Sequence, residues 1–133
     1  MRAVFADSYY YIAFINERDA GHEAAIEFSQ SYLGRSVTTE WVLTEVADAL
    51  SDKSNRPVFL SLLNTLQASS DTEIIPASHE LFQRGIELFA KRPDKDWSLT
   101  DCISFVVMRG RGLADALTGD RHFEQAGFNV LLK

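Results

Sequence analysis

Apolar residues in this chain fall into short β-prone runs and helical stripes separated by polar breaks. Residues 2–6 form an apolar run that ends at Asp7, and Ser8 is placed to cap a helix over 9–15. A second helical pattern over 20–33 sets Ala24, Ala25, Phe28 and Leu33 near one stripe, with Gly34 as its expected stop. Residues 36–39 are short and β-branched enough for a strand, and 41–50 follow as a helix. After a polar break at 52–56, Pro57 suits a first helical turn, and 58–67 carries Phe59, Leu62, Leu63 and Leu66 on one side. A strand is expected at 73–76. Ser78 then caps a helix to about residue 90, with Leu81, Ile86, Leu88 and Phe89 as its apolar residues. Beyond a loop at 92–95, a helix over 98–109 is ended by Gly110 and Gly112. The remainder reads as a strand over 113–118, a helical turn at 120–125, Gly127, and a last strand over 128–132.

Five short strands alternating with helices predict an α/β sandwich around a mainly parallel five-stranded sheet. A chain of 133 residues can bury one sizeable core, so one domain over 1–133 is expected. The 46% hydrophobic and 24% charged residues exclude the disordered and fibrous classes. No run reaches the ~18 apolar residues of a membrane helix. Asp7 interrupts the apolar start and no small-residue cleavage site follows, so no signal peptide is expected and the expected location is cytoplasmic. The single cysteine, Cys102, rules out an internal disulfide and a multi-cysteine zinc site, and is most simply a small core residue.

Chemistry enters through four acids. Asp7 ends the first strand, Glu45 lies on a helix, Asp101 opens another, and Asp120 follows a late strand. In open α/β sheets ligands bind beyond the carboxyl ends of strands, where Asp7 and Asp120 stand. Ionised carboxylates gathered in one cleft repel by roughly 4 kcal/mol per pair at 4 Å and an effective dielectric near 20, so such a cluster calls for a divalent cation. Oxygen ligands without a cysteine or histidine pair favour Mg²⁺ or Mn²⁺, and the matching chemistry is phosphodiester hydrolysis.

Each acid also has a structural reading. Asp7 can cap the helix after it. Ser98-Leu99-Thr100-Asp101 has the spacing of a capping box, although a first-turn carboxylate kept ionised by the helix dipole remains a competent ligand. Glu45 lies away from the apolar stripe of Leu43, Val46, Ala47 and Leu50, and Asp48 is a rival for its role. Asp120 sits in a turn, where acids are common. His22, His79 and His122 form no metal-binding pair; His122 alone is near a candidate ligand and can meet substrate phosphate or stabilise the turn. Trp41 and Trp97 can stack on bases or pack in the core. The net charge of −6 argues against a nucleic-acid partner, but four of the nineteen acids are the candidate ligands, and short basic groups occur at Arg84, Lys91, Arg92 and Lys95, at Arg109 and Arg111, and at Arg121.

In combination these residues resemble the PIN-domain family of metal-dependent nucleases, specifically its VapC-type toxin ribonucleases. The carriers are Val4-Phe5-Ala6-Asp7-Ser8, Thr44-Glu45-Val46-Ala47-Asp48-Ala49-Leu50, the run from Asp96 to Phe105, the run from Ala116 to Phe123, and Ala126-Gly127-Phe128. The resemblance implies a three-layer α/β/α fold and a Mg²⁺ or Mn²⁺ site. It carries the acidic roles onto Asp7, Glu45, Asp101 and Asp120, choosing Glu45 over Asp48, and makes Thr118, Ser8 and Ser104 supporting hydroxyls. It further implies RNA cleavage, a cognate antitoxin and a homodimer. A second reading, a haloacid-dehalogenase-type phosphotransferase, expects an acid two residues after the first aspartate, where this chain has Tyr9. Two further readings stay open at this point: a PIN nuclease of RNA processing or decay, and a binding module without turnover.

Overall fold

The computed structural model describes residues 3–132, so Arg2 of the first expected strand lies outside them. Five strands, β1 (Val4–Ala6), β2 (Ser36–Thr39), β3 (Thr72–Ile75), β4 (Asp115–Leu117) and β5 (Asn129–Val130), form one sheet in the order β3-β2-β1-β4-β5. Every pairing is parallel. The chain runs outward from β1 to β3, crosses back, and continues through β4 to β5. The direction therefore reverses between β1 and β4, where Ala6 stands opposite Leu117. The crevice beyond these two strand ends is the topological switch point of the sheet.

Seven helices complete the fold among the described residues: α1 (Ser8–Ile15), α2 (His22–Ser31), α3 (Glu40–Ala49), α4 (Arg56–Ala68), α5 (His79–Lys91), α6 (Leu99–Arg111) and α7 (Arg121–Gln125). Alternation along β1 feeds two layers. Phe5 faces α6 and α7, its ring 6.4 Å from Phe123, which meets Phe105 edge-on at 4.9 Å. Ala6 faces the opposite side, where α1, α2 and α4 border an apolar groove of about 380 Å³ with Tyr10, Phe14, Phe28, Leu62 and Leu66 among its walls. Trp97 packs edge-on against Phe105 at 5.0 Å and donates Nε1–H to Gln125, so its indole serves the core rather than a base. Cys102 is buried as expected. Among the described residues no helix is long and apolar enough to cross a membrane.

Local chemistry corrects several boundaries. The N-cap position of α1 is Asp7, not Ser8, which is already helical. α2 starts at His22 because Asp19 accepts the Gly21 amide in a turn, and ends at Ser31, where serine hydroxyls bond back to helix carbonyls and Tyr32 turns extended. Leu33 therefore leaves the apolar stripe and is 83% exposed, and Gly34 stops nothing. Gly110 lies inside α6; the stop is Gly112 at φ 66, a left-handed position that suits glycine, with Leu113 N–H donating to the Met108 carbonyl. β5 is shorter than expected, although Leu131 and Leu132 amides extend its bonding to Ala116 and Thr118 carbonyls. On α5, Ile86 and Phe89 are exposed along with Phe82, while Gly85 faces the interior.

Gly85 allows α5 to approach α6 closely. A Cβ there would lie 2.4 Å from Ile103 Cγ1, in the buried middle of α6. Gly85→Ala gains about 1 kcal/mol of helix propensity but overpacks a filled contact, which costs about 1–3 kcal/mol. A net loss of up to about 2 kcal/mol in urea unfolding is expected. In an Ile103→Ala background the same substitution is expected to become neutral or stabilising; an equal loss in both backgrounds would remove Ile103 as the cause.

Candidate metal centre

The switch point joins Asp7 to Thr118. Because β1 and β4 end in register, the residues just after them are neighbours, and Thr118 Oγ1 donates to Asp7 Oδ2 at 2.9 Å. The same oxygen accepts the Asp120 amide at 3.1 Å, so one buried hydroxyl ties both strand-end acids together. Asp7 occupies the N-cap of α1, yet its side chain makes no capping hydrogen bond. It is 3% exposed. Burial pushes its carboxyl up to about 7; the Thr118 hydroxyl and the Ser8 amide oppose the rise, and the charges of Asp101 and Glu45 add to it.

Asp101 both caps and faces the cleft. Ser98 Oγ accepts its amide at 3.0 Å, and its Oδ2 accepts the Ser98 amide at 3.2 Å, which completes the capping box at the start of α6. The same Oδ2 lies 3.1 Å from His122 Nδ1, and Oδ1 has no partner among the described residues. Burial raises this carboxyl as well, with His122 opposing and Asp120 reinforcing the rise. Asp120 caps α7, its Oδ1 accepting the His122 amide at 2.9 Å. Ligand atoms of Asp101, Asp120 and His122 all lie within 4.8 Å of one another.

Glu45 arrives from α3, half-buried, and accepts a short hydrogen bond from Ser8 Oγ. A single cleft of about 370 Å³ is lined by Asp7, Ser8, Glu45, Asp101, Asp120 and His122. Asp48 is exposed and borders a different hollow, with Leu50 and Arg56. The geometry thus separates Glu45 from Asp48, two residues that helical periodicity left open. Ser104 is the exception among the expected supporting groups. It lies one turn further along α6, and its buried hydroxyl has no partner among the described residues. Tyr9, Asp19, Asp96 and Ser98 also line the cleft and were missed as site residues. Asp96 was legible as a fifth acid five positions before Asp101, but Asp19 and Tyr9 reach the cleft only through the fold.

All four acids offer hard oxygen donors, and Asp7 is a deeply buried carboxylate with only neutral hydrogen-bond donors against it. This donor set fits Mg²⁺ or Mn²⁺, with His122 as one additional nitrogen.

Relatives share the fold over nearly the whole chain. The 23S rRNA-specific endonuclease VapC20 of Mycobacterium tuberculosis is 25% identical over 125 residues, covering 94% of this chain and 95% of that protein. The crystal structure of VapC20, described as a sarcin–ricin loop cleaving toxin, superposes with a TM-score of 0.86 at 25% identity over 94% of this chain and 95% of that one. VapBC2 of Rickettsia felis, bound to a DNA fragment from its promoter, and FitAcB of Neisseria gonorrhoeae share the fold at 14% identity and a TM-score of 0.67, covering 97% and 96% of this chain and the same shares of theirs. The sequence model of the PIN domain matches residues 4–129, and the chain belongs to the PIN-domain family.

Proposed function

We propose that this protein is a metal-dependent endoribonuclease that hydrolyses RNA phosphodiester bonds. The observation that carries the reading is the convergence of Asp7, Glu45, Asp101 and Asp120 on one cleft at the switch point of a PIN fold. Its likeness over nearly the whole chain to an rRNA-specific endonuclease supports RNA as the substrate class. Asp7, Asp101 and Asp120 hold Mg²⁺ or Mn²⁺, directly or through water. The bound cation supplies a lowered pKa for the attacking water and neutralises charge on the leaving oxygen. Glu45, oriented by Ser8, positions that water and takes its proton. Thr118 fixes Asp7, and His122 fixes Asp101, so that both ligands are set before the cation arrives.

Likeness to VapC20 also supports a toxin role with a cognate antitoxin as partner. A short neighbouring reading frame encoding a DNA-binding protein is expected; its absence from the locus would move the assignment to RNA processing or decay. Phe82, Ile86 and Phe89, at i, i+4 and i+7 on α5, expose a contiguous apolar stripe that supports a homodimer through this helix. Phe89→Asp is expected to shift the protein to monomer in sedimentation equilibrium, and an unchanged mass would remove α5 from the interface.

Asp7→Ala and Asp101→Asn are expected to abolish Mg²⁺- or Mn²⁺-dependent RNA cleavage with circular dichroism unchanged, and Thr118→Val to lower it about 10–100-fold. Full cleavage by either acidic variant would overturn the assignment.

Asp7 also links metal to stability. In the metal-free protein its carboxyl titrates near 7 folded, against an ordinary value of 3.8. Between those values the folded state keeps a proton that the unfolded chain has lost, so this group's contribution falls as pH rises from about 4 to about 7 and is then constant. Asp7→Asn is expected to stabilise the metal-free protein by up to about 4 kcal/mol above pH 7, and by almost nothing near pH 4. Mn²⁺ is expected to raise the wild-type melting temperature more at pH 8 than at pH 6, because binding displaces the proton, and to leave the variant unmoved. A pH-independent difference would show that burial of Asp7 does not set its ionisation.

A further inference from the structure

Two glycines beside the cleft have conformations that any residue could adopt. Gly21 and Gly119 both lie outside the left-handed region, which among the described glycines only Gly112 and Gly127 occupy. What each glycine provides is room for the same side chain. A Cβ on Gly119 would stand 2.5 Å from Tyr9 Cζ and 2.7 Å from its hydroxyl oxygen, and a Cβ on Gly21 would stand 3.0 Å from that oxygen. Contacts under 3.0 Å cannot be accommodated unless the ring moves, so the loop carrying Asp120 and the turn before α2 together form a seat for the phenol end of Tyr9.

The seat holds Tyr9 on the wall of the acidic cleft. Its ring is half-buried, it has no aromatic neighbour, and its hydroxyl makes no hydrogen bond among the described residues. Two hydroxyls beside it are committed, that of Ser8 to Glu45 and that of Thr118 to Asp7. A cleft lined by carboxylates repels a phosphate, and a cationic side chain placed there would compete with the metal for the same acids. A neutral hydroxyl donor avoids both problems, since it can hold a phosphate oxygen without drawing on the carboxylates.

Resting on the nuclease reading above, we propose that Tyr9 is a substrate-positioning residue whose phenolic hydroxyl donates to a phosphate oxygen of the RNA beside the scissile bond. Tyr9→Phe keeps the ring in its seat and removes only the donor. It is expected to lower kcat/KM for RNA cleavage about tenfold, mainly through KM, with Mn²⁺ affinity by calorimetry and the melting temperature unchanged. Tyr9→Phe cleaving within twofold of wild type would overturn the proposal, and so would a matching loss of Mn²⁺ affinity, which would make Tyr9 part of the metal scaffold. Anisotropy of a labelled RNA in the same Mn²⁺ buffer separates this from the nuclease reading. If the wild type binds RNA without cleaving it, the nuclease reading falls, and Tyr9 is judged by affinity alone: about tenfold weaker binding by Tyr9→Phe upholds the contact, and equal binding removes it.

Discussion

The structure depends on keeping a carboxylate almost fully buried at the end of its central strand. Asp7 follows β1, the middle strand of the five, at the point where the sheet's connectivity reverses. In metal-free protein burial dominates the energetics there and raises its carboxyl to about 7. The fold opposes that cost with the Ser8 amide and with a neutral hydrogen bond from Thr118, whose hydroxyl also receives the Asp120 amide. Removing the charge would be the simplest way to stabilise this strand end. Retention of an acid there makes sense where a cation completes it, and the same loss of solvation that burdens the lone carboxylate strengthens ligand-to-cation attraction.

Much of this was legible in the sequence. Order and type of the strands and helices follow from periodicity and from breakers such as Pro57, Ser78 and Gly112. Boundaries failed where side chains bonded to their own backbone, as Asp19, Ser29 and Ser31 do around α2. Strand ends were readable because an apolar run that stops at an acid marks a carboxyl terminus facing the crevice, which is how Asp7 and Asp120 stood out. Glu45 was not readable from the same rules. A residue off the apolar stripe of α3 looks solvated, and only the meeting of α1 and α3 brings it to Ser8.

Asp101 shows that one residue can both complete a capping box and line the cleft. Its backbone amide and Oδ2 complete the capping box with Ser98, while Oδ1 is left without a partner among the described residues. Capping pins the carboxylate at the start of α6, where the helix dipole favours the negative charge that burial opposes. The sequence pattern could not choose between the two roles because the geometry uses both. Ser104 marks the limit of such reasoning: it shares the helical face of Asp101, but one turn of rise carries it into the core, away from the cleft.

An acidic chain facing a polyanion has to separate attraction from repulsion in space. Here six of the nineteen acids line one crevice, and at its floor the burial and crowding of Asp7 and Asp101 suit a divalent cation. Around that floor the fold sets hydrogen-bonding side chains: His122 Nδ1 against Asp101 Oδ2, and hydroxyls from Ser8, Thr118 and Tyr9. Gly21 and Gly119 extend the same logic to the backbone, since each gives up a side chain so that a phenol can lie beside the carboxylates. A cationic residue in that seat would bind a phosphate more strongly in isolation, but it would also form an ion pair with the acids and lower the site's affinity for the metal. Neutral donors at the wall and carboxylates at the floor are an arrangement that would let one crevice take both a cation and, on the nuclease reading, a phosphate.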